Sequence, residues 1–132
     1  MKIHHVGYLV VDIDKAINDL IGLGYELEGE ACVDKKRNIK IQFLKNEGYL
    51  IELVSPLNDS SPVNSTLKKT GSSPYHFCYE TPVLIEQVTK LKQHGYIVIA
   101  EALEAPAIGN KKVVFLYKNS VQTALFVKHK YA

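Results

Sequence analysis

The chain has 132 residues, 46% of them hydrophobic, and a formal net charge of +2, enough for one compact domain and short for two independent ones. So small a positive excess, with no run of five Lys or Arg, argues against nucleic acid as a partner, and no apolar run reaches the ~20 residues of a membrane span. Only two cysteines occur, Cys32 and Cys78, and nothing before Ile3 resembles a secretion signal, so the expectation is a cytoplasmic protein with free thiols.

In chain order, residues 3 to 11 alternate and are rich in Val, Leu and Ile, which predicts a strand with His5, Gly7 and Leu9 on one face and Val6, Tyr8 and Val10 on the other. Asp12 is placed to cap a helix whose apolar face is Ile13, Ile17, Leu20 and Ile21, stopped by Gly22 and Gly24. A weaker strand covers Tyr25 to Val33, and 34–38 is a charged turn. Ile39 to Lys45 and Tyr49 to Val54 read as a hairpin around Asn46-Glu47-Gly48. From Ser55 to Pro74 the composition shifts to Ser, Pro, Asn, Asp, Gly and Thr, with Val63 and Leu67 spaced for one short helical turn, and this predicts a linker.

The second half repeats the plan. A strand runs from Tyr75 to Glu80, Thr81 and Pro82 open a helix with Leu84, Val88 and Leu91 on one face, and strands follow at Tyr96 to Ala100, Lys112 to Tyr117 and Thr123 to Lys128. The stretch 101–109 reads as a loop able to cover one end of a sheet. An offset of 71 carries His5 to His76, Tyr8 to Tyr79, Leu20 to Leu91, Gly24 to Gly95 and Tyr25 to Tyr96, and an offset of 72 carries 40–44 to 112–116. The expectation is one domain over 1–132 made of two βαβββ modules, 1–57 and 74–132, joined by a linker at 58–73.

Two histidines at equivalent points of duplicated halves are the chemically informative pair, because a pseudo-two-fold axis would set equivalent strands side by side and let both rings share an ion. Glu52 is the third candidate: it interrupts the apolar strand Leu50-Ile51-Glu52-Leu53-Val54, where an unpaired buried charge costs several kcal/mol. A metal set of His5, Glu52 and His76 follows. His4 points to the opposite face from His5 and reads as structural or exposed, and His94 as a cation near a helix C-terminus. Cys78 reads as a small buried residue rather than a nucleophile.

His5-Val6-Gly7, residues 51–60 (Ile-Glu-Leu-Val-Ser-Pro-Leu-Asn-Asp-Ser), Tyr75-His76-Phe77-Cys78-Tyr79-Glu80 and Gly109-Asn110-Lys111-Lys112-Val113-Val114-Phe115-Leu116 together resemble the vicinal oxygen chelate superfamily of glyoxalases, bleomycin-resistance proteins and dioxygenases. Within it they are most similar to the methylmalonyl-CoA epimerases. The resemblance implies an α+β fold in which two βαβββ modules form a cupped eight-stranded mixed sheet. It also implies a divalent metal (Co, Ni, Zn, Mn or Fe) held by residues at His5, Glu52, His76 and position 127. Val127 stands where the family has a glutamate and cannot bind metal; His129 lies on the same strand but ~6.6 Å further along, beyond reach without a bulge.

Epimerase chemistry needs a base near the substrate carbon. By alternation the cup-facing residues of the third strand are Lys40, Gln42 and Leu44, with no carboxylate among them. Lys40 and its equivalent Lys112 either bind an anionic group, Lys40 even serving as a base, or are solvated strand-end lysines; Gln42 joins Lys112 as a substrate contact. The expected function is a metal-dependent enzyme that stabilises an enolate or enediolate, epimerase-like or glyoxalase I (lactoylglutathione lyase)-like, with Glu52 and Lys40 as catalytic groups. Its substrate would be an acyl-CoA or a glutathione adduct, and its assembly a homodimer without nucleic acid or membrane. The competing expectation is a non-catalytic resistance-type module that holds a small molecule in the cup.

Overall fold

The computed structural model describes residues 1–119 and 121–127. The chain divides into two compact units: residues 5–75, and a second that joins Met1–His4 to the chain from His76 onward.

The first unit contains β1 (Lys2–Leu9, from His5 on), α1 (Ile13–Ile21), β2 (Glu26–Asp34), β3 (Ile39–Asn46), β4 (Tyr49–Pro56) and α2 (Val63–Thr70). Its strands lie in the order β2-β3-β4-β1, with β1 parallel to β4 and the other pairs antiparallel. Asp12 caps α1 as expected, its Oδ1 accepting from the Lys15 N–H at 3.2 Å. The apolar stripe of α1, with Ile13, Ile17 and Leu20, packs on Val10, Leu44 and Leu53. Leu44 and Leu53 are fully buried, each burial stabilising by about 1.5–3 kcal/mol.

The β3–β4 turn is only two residues long. Glu47 (φ 50°) and Gly48 (φ 86°) both sit at positive φ, the geometry of a type I′ turn, so Asn46 belongs to β3 and pairs with Tyr49. Between β2 and β3 the pairing slips from Glu28 to Cys32, and this bulge contains Gly29 at φ 73°.

The segment expected to be a linker holds more structure than its composition suggests. Pro62, at φ −63°, stands at the N-cap position of α2, whose eight residues end at Gly71 (φ 68°) with the Gly71 N–H bonded to the Leu67 carbonyl at 2.8 Å. Asn58 organises the approach: its Oδ1 accepts from Asn38 Nδ2 at 2.8 Å and its carbonyl from Asn64 Nδ2 at 2.9 Å.

In the second unit β5 (Ser73–Thr81, from His76 on), α3 (Leu84–Gln93), β6 (Ile97–Ala105), β7 (Lys111–Lys118) and β8 (Val121–Val127) repeat the plan, in the order β5-β8-β7-β6. Leu84, Val88, Leu91 and Tyr96 pack on Val114, Leu116 and Leu125. Thr81 and Pro82 do not open α3. Thr81 ends the strand, fully buried, and its Oγ1 accepts from the Val83 N–H at 3.3 Å, so the helix begins two residues after Pro82. The expected loop at 101–109 is instead the continuation of β6 to Ala105, followed by a single 3-10 turn, Pro106–Ile108, and Gly109 at φ 71°. Ile108 packs on Cys78, Val113, Ala124 and Phe126, so this turn does cover part of a sheet face.

Candidate metal centre

Cross-strand register fixes which side chains share a face. In the first unit Glu52 of β4 lies opposite Phe43 of β3 and beside Gly7 of β1. The face that carries Glu52 therefore carries His5, Gly7, Leu9, Ile39, Ile41 and Phe43, while Tyr8, Val10, Leu44 and Leu53 take the helix side. His5 (3% exposed) and Glu52 (8%) are buried, with His5 Nε2 3.6 Å from Glu52 Oε1. The imidazole meets the Phe43 ring edge-on, with centroids 5.1 Å apart and planes at 85°.

The second unit presents the same arrangement with one member changed. His76 is buried and meets Phe115 edge-on, at 5.4 Å and 82°. Phe43 and Phe115 are related by the offset of 72, so each half sets one histidine against the edge of one equivalent aromatic. Across from Phe115, and beside Cys78, lies Ala124.

This register corrects three expectations. Lys40 and Gln42 are on the helix side, opposite Ser55 and Leu53, because the phase of the alternation is set by Phe43 against Glu52. Gln42 is buried and structural, its Nε2 donating to the Gly29 carbonyl in the β2 bulge at 3.1 Å and to the Phe43 carbonyl at 2.9 Å. Lys112 is exposed, opposite Glu104 and out of phase with Phe115, whereas Lys111 extends its ammonium over the Phe126 ring, 5.3 Å from the centroid. Finally, the position equivalent to Glu52 is Ala124; Val127 pairs in the backbone with Thr81, three residues further on. His129 lies outside the described residues.

His4 is half-buried with its ring edge-on to Phe126 at 4.9 Å, and Lys2 lies 3.8 Å from Glu80. His94 caps α3 through its backbone, its carbonyl accepting from Lys118 Nζ. Neither cysteine is in a disulfide; Cys78 is buried, and burial, then the Asp34 carboxylate, pushes the Cys32 thiol above the usual range, which makes it a poor nucleophile. Among the described residues no helix is long and apolar enough to cross a membrane.

The His5–Glu52 separation is near that of two ligands of one ion. At 3.6 Å it is too long for a hydrogen bond and a little longer than the about 3.0–3.4 Å between neighbouring donors around a cation with bonds of ~2.1 Å. One imidazole nitrogen and one carboxylate oxygen, both withdrawn from water, form a donor set for a borderline divalent metal.

The sequence signature of the Glyoxalase/Bleomycin resistance protein/Dioxygenase superfamily matches residues 4–115. The ethylmalonyl-CoA/methylmalonyl-CoA epimerase of Cereibacter sphaeroides is 28% identical over 120 residues, 88% of this chain and 87% of that protein. Among solved structures, hypothetical protein BH1468 from Bacillus halodurans C-125 matches with a TM-score of 0.86 at 26% identity, covering 99% of this chain and 96% of its own. A variant of the Streptomyces coelicolor methylmalonyl-CoA epimerase in complex with 2-nitronate-propionyl-CoA matches with a TM-score of 0.85 at 19% identity, covering 98% and 96%, a likeness of fold. With both halves folded as βαβββ modules and the signature spanning most of the sequence, this chain belongs to the glyoxalase/bleomycin resistance/dioxygenase superfamily.

Proposed function

We propose that His5, Glu52 and His76 hold one divalent metal ion (Co, Ni, Zn, Mn or Fe) in an enzyme that acts on an acyl-CoA thioester as a methylmalonyl-CoA epimerase does. The observation that carries this is the buried His5–Glu52 pair with donor atoms 3.6 Å apart. His76 supports it, being buried at the repeat-equivalent position in the same aromatic setting as His5. So does the likeness to an ethylmalonyl-CoA/methylmalonyl-CoA epimerase.

Held by His5, Glu52 and His76, a divalent ion would supply Lewis acidity toward a thioester carbonyl. The chain's own residues supply the rest. Phe43 and Phe115 fix the two imidazole planes, and burial of His5 and Glu52 removes the water that would weaken their hold on a cation. Gly7, beside Glu52, adds no side chain to that face and leaves room for substrate. On β3 the residues in phase with Phe43 are Ile39, Ile41 and the exposed Lys45, none of them a carboxylate. The proposal includes a cytoplasmic homodimer.

The test is exchange of the α-proton of methylmalonyl-CoA in heavy water, followed by proton NMR on chelator-stripped protein reloaded with each of the five metals. Exchange should need metal, and His5→Ala and Glu52→Ala should each slow it by about a hundredfold or more. Exchange indifferent to chelator and to both substitutions would refute the proposal. The apolar surroundings of Ala124, with Cys78, Val113 and Phe126, favour one second reading, a non-catalytic binding module. Metal-independent binding of the thioester with no exchange would establish it.

A further inference from the structure

We infer that the second half carries a disabled copy of the His–Glu half-site, in which Ala124 stands where the acid would be and Cys78 fills the space left for it. The inference rests on the metal reading above, but its geometry lies within each half by itself.

In the first half three residues in register make the half-site: Gly7 on β1, Glu52 on β4 and Phe43 on β3, with His5 two residues before Gly7 on the same face. In the second half the register is Cys78 on β5, Ala124 on β8 and Phe115 on β7, with His76 two residues before Cys78. Every backbone position has its counterpart, and the histidine and the aromatic are retained in the same edge-on contact. The two that differ compensate each other. Where the first half pairs no side chain (Gly7) with a long acid (Glu52), the second pairs a thiol (Cys78) with a methyl (Ala124), and both of these are buried to within 2%.

The exchange is chemical as well as steric. Cys78 and Ala124 belong with Val113 and Phe126 to one apolar cluster, roofed by Ile108, which has no place for an uncompensated carboxylate. Such a cluster turns one wall of a coordination site into a dry surface. Among the described residues the first half then supplies an imidazole and a carboxylate, the second an imidazole alone, and the proposed centre has three protein donors.

The geometry also specifies how to restore the lost group. A124E alone places a longer side chain into a filled cluster, whereas A124E combined with Cys78→Gly reproduces the Gly7/Glu52 pairing and should set a carboxylate beside His76. Isothermal titration of chelator-stripped protein with cobalt(II) reads the outcome. Glu52→Ala should weaken binding by about a hundredfold or more, beyond the losses that outer-shell changes cause. The triple variant E52A/C78G/A124E should recover affinity to within about tenfold of the unaltered chain. A triple variant that folds, by circular dichroism, yet binds as weakly as E52A overturns the inference. If it is unfolded without metal, its melting curve decides: a folding transition restored by cobalt supports the inference, and none overturns it. Cobalt uptake by the unaltered chain separates the two claims, since a chain that binds no ion sinks the metal reading itself, and with it this one.

Discussion

Glu52 is a costly residue for its strand. A carboxylate 8% exposed, flanked in sequence by Ile51 and Leu53, costs several kcal/mol to desolvate, which the ion pair with His5 at 3.6 Å offsets only when the imidazole is protonated. Glu52→Gln keeps the shape and removes the charge. Without metal its melting temperature should stay within a few degrees of the parent or rise, while the upward shift produced by cobalt in the parent should vanish, as differential scanning calorimetry would report. An unchanged cobalt shift would remove Glu52 from the ligand set. Glu52 stands out in the sequence because it interrupts an apolar strand, and His5 and His76 because an offset of 71 makes them equivalent. Lys40, Gln42 and Lys112 were misplaced because alternation gives a period without a phase. The phase comes from contacts across strands, above all Phe43 opposite Glu52 and Phe115 opposite Ala124. The recurrence of phenylalanine at the offset of 72 was visible in the chain, and it was the signal that could have fixed that phase.

Turns set the register of the strands they join, and here a turn also explains an error of counting. The resemblance places the missing acid at Val127, without reference to the register within this chain. Counting instead from the tight turns, Glu47-Gly48 in the first half and the one after Lys118 in the second, leads from Glu52 to Ala124. Glu47 holds a left-handed conformation (φ 50°) that costs most side chains about 1 kcal/mol, whereas the equivalent residue is Asn119 (φ 55°), a type that tolerates it. Glu47→Asn creates the Asn-Gly pair preferred in type I′ turns and should stabilise the protein by about 0.5–1 kcal/mol in urea unfolding, leaving metal affinity unchanged. A loss of stability would mean that Glu47 makes compensating interactions of its own. The spacing of Val63 and Leu67 suggests only one short turn of α2, because Ser, Pro and Asn otherwise read as a loop. In the structure those same residues build its approach, with Pro62 already at a helical φ of −63°.

For the whole molecule, duplication makes each half a βαβββ module with its own core under its own helix, Leu44 and Leu53 below α1 and Leu116 and Leu125 below α3. The proposed ion takes two of its donors from the first unit and one from the second. An ion bound to the folded state alone stabilises by RT ln(1 + [L]/Kd), about 2.7 kcal/mol at a hundredfold excess over Kd, or about a hundredfold in the population of open forms. The distribution of that protection discriminates between sites. A cation held only by His5 and Glu52 slows amide hydrogen exchange in β1 and β4 and leaves the second unit as it was. One held also by His76 slows exchange in β5 and in its parallel partner β8 as well, where five residue pairs from Phe77–Thr123 to Thr81–Val127 are in register. The second pattern is expected on adding cobalt, and His76→Ala should convert it to the first. Protection confined to β1 and β4 in the unaltered chain would reduce the centre to the His5–Glu52 pair.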